Sequence, residues 1–342
     1  MKNSQEEITI DLMAKTTQNK HKLIYTLGAS LIVCFVLSLF VFSYWVSPLD
    51  VLTGQRHALD TMWHVRIPRT VAVTVVGVGM SICGLIMQIL TRNKFVSPTT
   101  AGTLEGARLG IMLTLLFVPT VGILGRSVVI FGTTMTVTVV LVLILEKIQV
   151  KNHIFVPLVG IVYSGIISAI VSFFAQRSQN VQQISTALIG NFSLALSGRY
   201  EVVLITIPLL AVAYLYASKF MIVGLGADTA KGLGLNYRLT MYIGLTLVSV
   251  IATLTIIVAG IIPFLGLIVP NIVAIFMGDN IKKTLLPTAM FGGVFLLLCD
   301  IVSRLIIFPF EVPVSLTVGV LGAAIFLVML IRGKDDTKGS SV

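Results

Sequence analysis

Few ionisable side chains of this 342-residue chain stand inside apolar runs, and any chemistry would have to be done by them. Asp300 and Arg304 are four residues apart and Glu105 and Arg108 three apart, spacings that bring both members of each pair to one helix face. A carboxylate held in an apolar span can couple ion movement to transport, which makes Glu105 and Asp300 the candidates for an ion-coupled secondary transporter. Each has a cation at pairing distance, so local neutralisation is the plainer use. His21, His57, His64 and His153 are scattered with no carboxylate-rich motif beside them, and Cys34, Cys83 and Cys299 sit singly in apolar runs. Such a set leads us to expect no metal site, no cofactor and no disulfide framework. It also lacks the convergent nucleophile, metal cluster or carboxylate pair that an enzyme needs. The Walker pattern requires Gly-Lys-Ser/Thr, whereas Gly333-Lys334 runs into Asp335, so the chain is expected not to hydrolyse ATP itself.

The elements that must position these groups are membrane spans. The chain is 56% hydrophobic and 11% charged, with a mean hydropathy of +1.01, against about 25% charged in soluble domains. At roughly 20 apolar residues per crossing, ten runs qualify: about 23–46, 71–90, 107–124, 127–146, 156–175, 202–218, 239–258, 261–277, 285–308 and 314–331. The expected fold is an all-α polytopic membrane protein with one transmembrane domain at 23–331, between polar tails at 1–22 and 332–342. The run from Leu23 to Val46 is longer than a signal peptide's apolar core of about 7–15 residues and reads as a retained first span. With both termini cytoplasmic, most Lys and Arg fall inside, while Arg56, Arg66, Arg69, Arg126, Arg177, Arg199 and Arg304 fall outside.

Four segments carry more than spanning requires. Arg66-Ile67-Pro68-Arg69 precedes the second span, where Pro68 suits a helix start, Gly77, Gly79 and Gly84 permit close helix contact, and Gln88 needs a partner. Arg92 to Ala107 contains Pro98, Gly102 and Gly106, which predict irregular backbone, and Glu105 is placed to pair with Arg108. Gly224 to Leu235 predicts a short helix outside the bilayer, with Asp228 near its positive end and Gly232 and Gly234 stopping it. From Ala259 to Asn271 two prolines seven apart predict short, broken helical pieces, and Asp300, Arg304, Glu311, Pro313 and Gly319 follow.

The motifs R-I-P-R-T at 66–70, G-L-I-M-Q at 84–88, R-N-K-F-V-S-P at 92–98, E-G-A at 105–107, G-L-G-A-D-T-A-K-G-L-G at 224–234, G-I-I-P-F-L-G-L-I-V-P-N at 260–271, G-D at 278–279, L-L-P at 285–287, D-I-V-S-R at 300–304 and E-V-P-V at 311–314 occur in a telling order. From end to end the chain resembles permeases of the FecCD type, from the ABC importers of iron-siderophores, haem and cobalamin. Lys94-Phe95-Val96 stands where the family often has Pro-Leu-Ala, Asn271 where it often has His, and Ser315-Leu316 where Gly-Val is usual. These departures lean away from cobalamin and towards ferric siderophores.

The resemblance implies a subunit of ten helices in the bacterial cytoplasmic membrane. It implies pairing with a second permease, homologous or identical, above two cytoplasmic ATPase subunits, and an extracytoplasmic binding protein that delivers a ferric siderophore. It implies that Arg66, Arg69 and Arg304 dock the binding protein, their bland alternative being interfacial anchoring and the Asp300 pair. It also implies that Gly226, Asp228, Ala230, Gly232 and Gly234 form the loop that couples to the ATPase. Gly84, Met87 and Gln88 with Gly266, Pro270 and Asn271 are expected in the translocation pathway or its packing.

Overall fold

The computed structural model describes residues 22–41, 53, 55–98, 102–148 and 155–338. Among them the secondary structure is helical. Twelve helices follow in order: α1 Lys22–Phe40, α2 Arg56–Leu90, α3 Thr103–Phe117, α4 Ile123–Ile148, α5 Phe155–Arg177, α6 Val181–Leu188, α7 Glu201–Leu225, α8 Ala227–Gly232, α9 Tyr237–Ala259, α10 Leu265–Met277, α11 Ile281–Leu305 and α12 Val314–Lys338. Six of them (α1, α2, α5, α7, α9 and α11) are long and apolar enough to cross a bilayer, and shorter apolar stretches lie in α4, α10 and α12. Every predicted run overlaps a helix, so the all-helical polytopic class is observed. The expected tail at 1–22 lies almost wholly outside the described residues, as do 42–46 of the first run and 339–342. Helix α12 continues through 332–338 of the other expected tail.

Burial separates the helices by role. The apolar window of α2 is 83% buried, against 11% in α1 and 22% in each of α5 and α7, so α2 is the axle and those three lie at the periphery. A helix apolar all round belongs in a core. Helices α7, α9, α10 and α11 pack around α2, while α3 packs on α4 and α5 and reaches the axle through α9. With no hydrophobic drive between spans in lipid, contact depends on close backbone approach. A Cβ on Gly77 would meet the Gly292 carbonyl at 2.6 Å, and one on Gly106 the Thr134 Cα at 2.6 Å. Gly106 therefore lies inside α3 and packs it on α4, in contrast to the break expected there. Gly102, in the left-handed region at φ 81°, marks where the helix begins.

Pro68 stands at the second position of the α-helical stretch Ile67–Leu90, the helix-start place expected of it, whereas Pro270 lies inside a helix, and each leaves a carbonyl to be bonded from elsewhere. Pro68 lies within the continuous run of α2, just after a π-type turn at Met62–Arg66. Lacking an N–H, it leaves the His64 carbonyl without its helical donor, and Ser197 N donates to that oxygen at 3.1 Å. In the segment 259–271 the chain breaks at Gly260 to Phe264, but Pro270 sits inside an unbroken α10.

The bundle has two ends. One gathers the end of α1, the start of α2, the end of α11, residue Glu311 and the loop 189–200. The other gathers residues 91–98, α8 and the turn at Gly278 to Asn280.

Candidate functional site

At the first end a buried charge network joins helices distant in sequence. Arg69 Nη2 lies 2.9 Å from Asp300 Oδ1 and Arg69 Nη1 2.6 Å from Glu311 Oε2. Arg304 Nη2 lies 2.5 Å from Asp300 Oδ2, the i,i+4 pairing expected of these two. Arg304 also donates to the Ser38 and Val41 carbonyls and to Ser38 Oγ, and Arg66 Nη1 to the Leu39 carbonyl at 3.0 Å. The last carbonyls of a helix lack intrahelical donors and carry its negative end, so arginines from α2 and α11 cap α1. Glu311 further accepts from Ser193 Oγ at 3.2 Å, which ties the loop 189–200 to the network.

The pairing with Asp300, the plainer alternative to docking, is present at Arg69 and Arg304. Arg66, Arg69 and Arg304 are 0%, 4% and 1% exposed, and their guanidinium groups are engaged within the chain. A charge buried in protein has to be paired, and here Asp300 and Glu311 supply the partners of Arg69 and Arg304. Ser38 and Ser193 belong to the network but carried no signal beyond being polar residues in apolar surroundings.

The residues expected in the pathway or its packing meet at the crossing of α2 and α10. A Cβ on Gly84 would overlap the backbone of Gly266, and one on Gly266 would meet the Met80 carbonyl at 2.9 Å. Pro270 removes the donor that would reach the Gly266 carbonyl four residues earlier. Gln88 Nε2 covers that place from α2, at 3.5 Å from the Gly266 oxygen and 3.2 Å from that of Leu267. Asn271 Nδ2 donates to the Leu267 and Lys94 carbonyls at 2.8 and 2.9 Å, fastening the 91–98 turn to α10. Met87 is buried beside them in the core that α2 makes with α7, α9 and α11. At this crossing Gly84 and Gly266 allow close backbone approach, and Gln88 covers a proline-freed carbonyl.

At the opposite end, α8 forms the short helix expected in the 224–235 loop. Asp228 sits in its first turn, and Ala230 is buried while Leu225 and Leu233 are exposed. Leu235 N donates to the Ala230 carbonyl and Gly234 N to that of Lys231, with Gly234 at φ 73°, which is a Schellman stop. Gly232 has open space where a side chain would go. Gly226, at φ 126°, backs onto the Arg92 side chain, so the 91–98 turn supports the root of α8.

Elsewhere Arg108 Nη1 pairs with Glu105 at 3.2 Å and donates to Ser168 Oγ of α5 at 2.9 Å. Cys34, Cys83 and Cys299 are buried free thiols. A cavity of about 720 Å³ opens at the network end between the end of α3, the start of α4, α6, the loop 189–199 and the end of α9. Sequence reasoning placed its Arg126 and Arg199 on the side poor in positive charge but gave neither a task.

A buried helical axle, glycine crossings and six helices long and apolar enough to cross a bilayer define a polytopic helical membrane protein. The model of the FecCD transport family matches residues 30–332, and the chain belongs to that family. It is 45% identical over 304 residues to the petrobactin import system permease protein YclN of Bacillus subtilis, covering 89% of this chain and 96% of that one. It is 37% identical to the ferric-anguibactin transport system permease protein FatD of Vibrio anguillarum, covering 78% and 85% of the two chains. A solved metal-chelate type ABC transporter in an inward-facing conformation shares the fold, with a TM-score of 0.79, 23% identity and coverage of 91% and 99%.

Proposed function

We propose that the chain is the membrane permease subunit of a binding-protein-dependent ABC importer for a ferric siderophore. The observation that carries this reading is the 45% identity to a petrobactin permease along 89% of the chain. The subunit crosses the bacterial cytoplasmic membrane ten times with both termini inside, its transmembrane domain running over 23–331. It pairs with a second permease to enclose the path, and α8 rests on one of two ATPase subunits. The exposed Leu225 and Leu233 beside an open Gly232 support that contact. Closure of the ATPases on ATP moves α8, and through Arg92 and the 91–98 turn the motion reaches α10 and α2.

The binding protein lands at the charge-network end. Arg66, Arg69 and Arg304 shape that face from within, by holding the end of α1 and the loop 189–200, and carry no bond chemistry. A relative named for vitamin B12 import matches at 26% identity, so a cobalamin cargo is the weaker reading.

The test is reconstitution of the permease in vesicles with the ATPase and binding protein encoded beside it, followed by uptake of ferric petrobactin. Uptake should require ATP and the binding protein. Uptake driven by a proton gradient without ATPase would instead make the chain a secondary transporter.

A further inference from the structure

The cavity at the network end falls within the roughly 300–1,000 Å³ typical of small-molecule sites, at about 720 Å³. Two cations, Arg126 and Arg199, line it together with neutral polar groups such as Gln183 and Asn191, and no carboxylate is among its described lining residues. The rest is mainly aliphatic, as at Ile130 and Leu194. Arg126 Nη2 donates to the Pro119 carbonyl at 3.2 Å, which steadies the side chain while a guanidinium has further donors to offer. The opposite wall is also held, because Asn191 N donates to the Ala259 carbonyl at 2.9 Å and Asn191 Oδ1 accepts from Ser193 N and Oγ. Ser193 in turn reaches Glu311, so the charge network braces this wall.

Resting on the importer reading, we infer that this cavity is an anion-selective entry subsite for the iron chelate, Arg126 and Arg199 taking its oxygen-rich face and the aliphatic wall its organic body. Guanidinium forks match carboxylate and catecholate oxygens and stack on aromatic rings. Arginines on the outer side run against the usual distribution of positive charge, and an anionic cargo accounts for them. Both side chains are exposed, so each contact is weak, as suits a station on a route.

A Leu194→Cys variant carrying an environment-sensitive fluorophore, in the full assembly with ATPase and binding protein in phosphatidylcholine vesicles, reads occupancy. An anionic ferric tricatecholate should quench it saturably at lower concentration than a neutral ferric trihydroxamate. Arg126→Gln and Arg199→Gln should each raise the half-saturating concentration about fivefold, Arg126→Lys and Arg199→Lys, which keep the charge but lose the fork, should recover only part of the response, and added salt should weaken it. Equal response to both chelates, or Gln variants that bind as before, would overturn the subsite. Loss of the tricatecholate response when phosphatidylglycerol is included would overturn it too, by making the occupant a lipid phosphate. ATP-driven uptake without quenching would remove the subsite and leave the importer standing, whereas failure to associate with any ATPase would remove the importer reading and the subsite with it.

Discussion

Gly84 of α2 and Gly266 of α10 lie backbone against backbone, so close that neither can carry a side chain without moving a helix. Gly84→Leu should therefore lower stability by overpacking, by about 1–3 kcal/mol, or prevent accumulation of folded protein. Gly132→Ala, where nothing lies within 4 Å, serves as the control and should be neutral or slightly stabilising. Thermal unfolding in detergent compares the two, and equal midpoints would mean that the crossing is looser than described.

Gln88 and Pro270 should be energetically coupled. Gln88→Leu alone uncovers the Gly266 carbonyl, but Pro270→Ala restores a helical N–H to it, so the Gln88 substitution should cost less when Pro270→Ala is already present. A double-mutant cycle should return an interaction energy of about 0.5–3 kcal/mol. Strict additivity would show that the amide serves Leu267 alone.

Arg69→Ala should destabilise the protein strongly, because Asp300 and Glu311 would keep their charges with one partner removed. Breaking a buried pair in this way costs about 3–5 kcal/mol. The loss should appear in the permease alone, before any binding protein is added. A variant of unchanged stability that docks poorly would return Arg69 to the role of a surface contact.

The two glycines that end α8 should separate stability from coupling. Gly234 holds a left-handed turn at φ 73°, so Gly234→Val should strain the Schellman stop and loosen α8, seen as faster hydrogen exchange there. Gly232 faces open space, so Gly232→Trp should leave the permease folded. In the reconstituted importer it should nevertheless diminish ligand-stimulated ATP turnover by blocking the proposed contact. Normal turnover in the Gly232 variant would move the ATPase contact elsewhere.

Much of this architecture was legible in the residue order. Apolar runs announce spans because lipid offers no partner to a backbone outside a helix, and Asp300 with Arg304 or Glu105 with Arg108 could be paired from spacing alone, since both members ride one helix. The short helix at 227–232 and its glycine stop were readable for the same local reason. Tertiary structure decided what depends on distance across the fold. Arg69 meets Asp300 across 231 positions of sequence and Arg304 meets Ser38 across 266, so three arginines that look like an outward-facing patch are drawn inside to neutralise carboxylates and cap α1. In one dimension Pro270 looks like a helix breaker and Pro68 like a helix start. Neither breaks its helix, because Ser197 and Gln88 arrive from other elements to bond the carbonyls that those prolines release.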